Sequence, residues 1–97
     1  MQFFVAFNNS WDPAQGGPPA DFDDVLREDQ ARIRELYAAG TVRNAWSFDR
    51  AERGGALLFE TGTREQFEAV LASIPLVRRG YNEPEVFPLA PFPGFVA

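Results

Sequence analysis

Asp29 occupies a position where a surface carboxylate is out of pattern. It follows Leu26 by three residues and precedes Ile33 by four, near the middle of a stripe formed by Phe22, Val25, Leu26, Ile33, Leu36 and Tyr37. A carboxylate on such a stripe loses hydration, which raises its pKa and makes it a stronger base. A base of that kind can take a proton from a carbon next to a carbonyl, provided a donor stabilises the enolate as charge develops. Neighbouring Arg32 or Arg43 would pull the pKa back down, and a structural ion pair at the helix edge is the competing reading of Asp29. Glu60 is the second candidate acid, because it shares a strand face with Leu58; a solvated rim position is its alternative. Asn44, Trp46 and Phe48 also share a face. Asn44 could hold a carbonyl oxygen and Trp46 could stack on a flat substrate or form plain interface core. Tyr81 and Asn82, in the last connection, could reach a pocket mouth or form a turn.

The elements that must position these groups read clearly. Gln2 to Phe7 is aromatic and β-branched, and predicts a strand. Asn8 to Ala20 collects Asn, Ser, Gly and Pro, including Gly16-Gly17-Pro18-Pro19, and predicts a long loop whose Trp11 either anchors it or caps a pocket. Asp21 to Ala39 is a helix with Asp21 as N-cap, Asp23 and Asp24 at the positive end of its dipole, and Gly40 as terminator. Val42 to Asp49 and Gly55 to Thr61 form a hairpin through the charged turn Arg50-Ala51-Glu52-Arg53-Gly54. Thr63 and Gln66 have capping-box spacing for a second helix carrying Phe67, Val70, Leu71 and Ile74, with Pro75 limiting its end. Leu76 to Pro84 is a connection, and Glu85 to Leu89 a last strand held near an edge by Pro88. The order β-α-β-β-α-β is the ferredoxin-like α+β arrangement, a single domain over residues 1–97 with a four-stranded antiparallel sheet.

These strands are apolar on both faces. Phe3, Val5 and Phe7 point one way from the first strand and Phe4 and Ala6 the other; Leu57 and Phe59 oppose Ala56 and Leu58 in the third. Two helices cover one face only. A second chain is the expected cover for the other, making a homodimer or higher homo-oligomer whose facing sheets enclose an apolar chamber walled by Phe4, Asn44, Trp46 and Phe48. The tail 90–97 carries Pro91, Phe92, Pro93, Phe95 and Val96, and is expected to pack on a neighbouring subunit.

Composition narrows the chemistry. Nine basic and fourteen acidic side chains leave a net charge of −5, so nucleic acid and anionic membrane surfaces are not expected partners, and Arg78-Arg79 is too small a patch to reverse this. There is no cysteine and no histidine, which removes thiolate nucleophiles, disulfides and the commonest general base and zinc ligand; no metal site is expected. Met1 to Phe7 is too short for a membrane span or secretory signal, and the chain reads as cytoplasmic.

Ala72-Ser73-Ile74-Pro75-Leu76, followed by Glu85-Val86-Phe87-Pro88-Leu89 and a Pro/Phe tail, resembles the C-terminal half of the muconolactone delta-isomerase family. Leu36-Tyr37-Ala38-Ala39-Gly40-Thr41 leading into Arg43 and Trp46 is similar to the family's helix end and second strand. The resemblance implies the dimeric α/β barrel and a proton shift within an unsaturated lactone, with no metal or organic cofactor and a small-molecule substrate held partly by neighbouring subunits. It implies that Glu28 and Asp29 are the first helix's acidic pair and that Arg43 and Trp46 are the second-strand pair. The chain departs from the family at Phe4 and Ala6, where the family has polar or basic side chains, at Asn44, where it has a histidine, and at Ser47, where it has an arginine.

The resulting expectation is a cofactor-independent isomerase, with Asp29, Glu28 and Glu60 as acid/base candidates and Arg43, Asn44, Trp46, Phe4 and Phe48 as substrate contacts. The substrate is expected to be small, unsaturated and lactone-like or derived from aromatic catabolism. A binding or assembly module with the same barrel, and a cofactor-free oxygenase, are the alternatives.

Overall fold

Strand β1 (Gln2–Asn9) is the axis of the molecule, with β3 (Gly55–Glu60) antiparallel on one side and β4 (Asn82–Leu89) antiparallel on the other. Strand β2 (Val42–Ser47) pairs with β3, giving the sheet order β2-β3-β1-β4. This computed structural model describes residues 1–51 and 54–95; Glu52 and Arg53 of the expected turn, and Val96 and Ala97 of the expected tail, lie outside the described residues. The arrangement is the ferredoxin-like α+β one, and β4 takes an edge, where Pro84 and Pro88 need not donate to a further strand.

Register decides the faces. Phe3 pairs with Phe59 and Val5 with Leu57, and these four side chains lie on the helix side at 0–4 % exposure. Phe3 stacks on Phe67 of α2 (Arg64–Ala72) with ring centroids 4.0 Å apart, and Phe59 meets the same ring edge-on at 5.3 Å. Phe4 pairs with Leu58 and Phe87, and Ala6 with Ala56, so these residues line the face opposite to that of Phe3, Val5 and Phe59. Asn44 and Trp46 pair with Leu58 and Ala56 and share that open face.

Helix α1 (Phe22–Ala38) ends as expected. Gly40 adopts φ 80°, its N–H donates to the Tyr37 carbonyl and that of Thr41 to the Leu36 carbonyl, a Schellman ending that favours a residue without Cβ. Its beginning differs from expectation. Asp21 stands at the N-cap but makes no cap hydrogen bond, because its carboxylate accepts from the Tyr81 hydroxyl at 2.7 Å and from the Arg79 guanidinium at 3.1 Å. Helix α2 has the full capping box, with Thr63 Oγ1 accepting from the Gln66 N–H and Gln66 Oε1 from the Thr63 N–H. Thr63→Ala is expected to cost about 1 kcal/mol of stability, read as a lower urea midpoint with unchanged slope.

The sequence reading of two helices and a connection needs one correction. Pro75 ends α2 but also starts a third helix, α3 (Pro75–Arg78), because its fixed φ suits a first helical position. Strand β4 likewise begins three residues before the expected Glu85, drawn out by its eight-residue pairing with β1. Within the long loop, Asp12 caps a short 3-10 turn, Pro13–Gln15, through the Ala14 N–H.

Candidate active site

Between α1 and the helix side of the sheet lies a cavity of about 490 Å³, a size that takes a small organic ligand. Its walls come from distant stretches of chain. Helix α1 contributes Phe22, Leu26, Asp29 and Ile33, the sheet Phe7 and Leu57, α3 Leu76, and the long loop Trp11. The apolar stripe of α1 is therefore split between packing and cavity wall. Val25 and Leu36 are buried at 2 % and 5 % exposure, while Leu26 and Ile33 face the space.

Asp29 is the one buried charged side chain among the described residues, at 5 % exposure. Its Oδ1 accepts the Leu76 N–H at 3.0 Å, which caps the start of α3. Burial pushes the carboxyl above its ordinary 3.8, and the Leu76 hydrogen bond opposes that only in part. Among the described residues no ion pair holds it: Arg32 instead reaches Ser73 Oγ and Glu35. Oδ2 has no hydrogen-bond partner among the described residues. The result is a desolvated carboxylate with one fixed and one uncommitted oxygen on the wall of an apolar cavity.

The loop brings Trp11 over this space. Its ring packs edge-on against Phe22 at 5.8 Å, and Phe22 in turn leans on Tyr81 at 6.5 Å, so anchor and cavity wall are one arrangement. The loop is held to the body by the Ser10 N–H and the Tyr81 carbonyl, and by Ser10 Oγ and the Gly80 carbonyl. Hydrogen bonding to Asp21 raises the Tyr81 hydroxyl's pKa, so Tyr81 serves this frame as a proton donor. Asn82, opposite Asn9 in the β1–β4 register, also lines the cavity.

The residues expected to act together are distributed differently. Asp29 and Trp46 line the cavity; Trp46 is also 47 % exposed beside Phe4, with ring centroids 6.0 Å apart. Phe4 lies on the open face, and Asn44 lies there too, with its Oδ1 occupied by the Ala45 N–H. Arg43 falls at the irregularity between Val42 and Asn44 and is exposed, as is Glu28. Glu60 stands at the end of β3 away from the hairpin, 3.9 Å from the N-terminal amino group. Phe48 lies under the Arg50 guanidinium at 4.8 Å, outside the cavity wall. Asn82 and Leu76 are the wall residues whose importance the sequence understated. Only the capping preference of Pro75 hinted at a helix start there.

The family model for muconolactone delta-isomerase matches residues 1–94. A crystal structure of muconolactone isomerase superposes with a TM-score of 0.79 at 21% identity, covering 100% of this chain and 96% of that one. The 5-chloro-2-hydroxyhydroquinone dehydrochlorinase of Burkholderia phenoliruptrix AC1100, solved with 2,5-dihydroxybenzoquinone, superposes with a TM-score of 0.64 at 12% identity, covering 93% and 94%. No curated protein sequence gives a significant match.

Proposed function

We propose, from the premise that this chain belongs to the muconolactone delta-isomerase family, that it is a cofactor-independent isomerase moving a proton within a small unsaturated, lactone-like or aromatic-derived substrate. The observation that carries this reading is Asp29, buried on the cavity wall with a raised pKa and one uncommitted oxygen. In the reaction, Asp29 Oδ2 takes a proton from the saturated end of the three-carbon allylic unit attached to the lactone carbonyl, either the carbon beside the carbonyl or the far carbon, and the electron pair delocalises onto the carbonyl oxygen as a dienolate. The same carboxylic acid then returns the proton to the other end of that unit, and the double bond moves. Atoms balance with no co-reactant. Throughout, Oδ1 stays on the Leu76 N–H, which keeps the base oriented against α3.

The proposed working unit contains at least two copies. Phe4, Leu58, Trp46 and Phe87 form a continuous apolar strip on the face that no helix covers, and a second sheet is its proposed cover. The tail, with Phe92 and Phe95 at 62 % and 87 % exposure, is proposed to pack on a neighbouring subunit as well. Such a unit would act in the cytoplasm; among the described residues no helix is long and apolar enough to cross a membrane.

The test is incubation of the protein in D2O with α-angelica lactone, an uncharged unsaturated lactone, and with muconolactone, followed by proton NMR. Movement of the double bond with deuterium appearing at the carbon that gains the proton is expected. Neither a shift nor exchange in either lactone would reject the reading. A non-catalytic binding module is the second reading, favoured by the capping bond that gives Asp29 a structural task.

A further inference from the structure

The cavity beside α1 carries charge of one sign. Among the described residues, the charged side chains on its wall are Asp23 and Asp29, and no arginine lines it. The chain has no lysine, and arginines of α1 serve other groups: Arg27 holds Asp24 at 2.8 Å, and Arg32 holds Ser73 Oγ and Glu35. Arg79 is likewise paired with Asp21. The field of exposed Asp23 is screened by water, whereas Asp29, at 5 % exposure, is screened much less. A charge acts across a cavity whichever way its carboxylate oxygens point. A sphere of about 490 Å³ is about 10 Å across, so a second carboxylate inside the space lies on the order of 10 Å or less from Asp29. That carboxylate would also give up water against Leu26, Ile33 and Leu57, with no cation on the described wall to receive it.

We infer that this cavity selects its ligand by charge, taking an unsaturated lactone that carries no carboxylate and turning away one that does. The inference rests on the proposed reading of this cavity as the ligand site, and it narrows the substrate class beyond that reading. The proton transfer itself gives the selection a reason. With an uncharged substrate the total stays at one negative charge on Asp29 and ligand together, because the carboxyl becomes neutral as the dienolate forms. A carboxylate substrate would hold two negative charges in the same small apolar space at every stage.

The saturated lactone 5-oxotetrahydrofuran-2-acetate and its methyl ester test this without turnover, since they differ by one charge and have no double bond to move. Ligand-observed NMR titration of the full chain at pH 8 and low salt is expected to show the ester binding about tenfold tighter than the acid, the effect of like charges about 10 Å apart at an effective dielectric near 20. Asp29→Asn removes the charge and keeps an oxygen for the Leu76 N–H, so the gap between ester and acid should shrink severalfold while the ester's affinity holds. Asp23→Asn, at an exposed position, should narrow the gap less. Acid bound as tightly as ester, a gap that Asp29→Asn leaves unchanged, or no binding of either probe would each overturn the inference. Failure of the unsaturated lactones to shift or exchange, with the charge preference intact, would instead overturn the isomerase reading and leave the selection in place.

Discussion

Asp29→Asn is expected to lower lactone turnover by about two to four orders of magnitude, the usual worth of a positioned general base, while the protein stays folded. The asparagine carboxamide oxygen can still accept the Leu76 N–H, so the start of α3 keeps its cap. What disappears is a carboxylate whose charged form is disfavoured by burial. The variant should therefore melt at the same temperature as the parent or higher at neutral pH. Asp29→Ala separates the two roles, since it loses the cap as well and should cost about 0.5–2 kcal/mol. An Asn variant that retains full turnover would remove Asp29 from the chemistry and leave it as a cap.

The same group sets a pH dependence in two observables. Catalysis needs the carboxylate, so kcat/KM should rise with pH through a folded-state pKa that lies above 3.8. Stability runs the other way. Because the folded state holds the proton more tightly than the unfolded chain, Asp29's contribution is fully present below about 3.8 and is lost as pH rises through the raised folded value. In the Asn variant that slope should be absent, which identifies the titrating group by difference.

If the open faces pair as proposed, Phe4→Glu should leave single chains at micromolar concentration, as read by sedimentation equilibrium. Phe4 sits at the middle of the open face, with Trp46 and Phe87 rings 6.0 and 6.2 Å away. If two such faces meet, the substitution places a carboxylate from each copy in a dry interface, and unpaired buried charges cost several kcal/mol each, enough to weaken association by about a hundredfold or more. The helix-side core, built on Phe3, Phe59 and Phe67, is untouched by the change, so the separated chain should keep its far-ultraviolet circular dichroism. A parent protein that already sediments as one chain at that concentration would contradict the proposed cover.

The sheet was legible because its information is local. Alternation in Gln2 to Phe7 and in Gly55 to Glu60 gives both the strands and the face each side chain takes, and the observed register of Phe3 with Phe59 and Phe4 with Leu58 preserves those faces. Capping at Thr63 and Gln66, and termination at Gly40, are likewise written within a few residues. Pro75 shows where local reasoning falls short: a residue that ends one helix is also suited to begin another, and only the approach of Asp29 from α1 shows that a helix start is being capped there.

The sequence by itself determined the fold class, the family resemblance, the apolar open face and the out-of-pattern carboxylate at Asp29. Tertiary structure alone decided where the cavity lies. It placed the space on the helix side of the sheet, set Asp29 beside Leu76 across 47 residues of chain, and brought Trp11 and Asn82 to the same wall. Periodicity tells which side of an element a residue faces, and composition tells whether that side prefers to be dry. Whether two dry surfaces close on each other or leave a gap depends on side-chain shapes meeting from distant segments, and no local pattern carries that information.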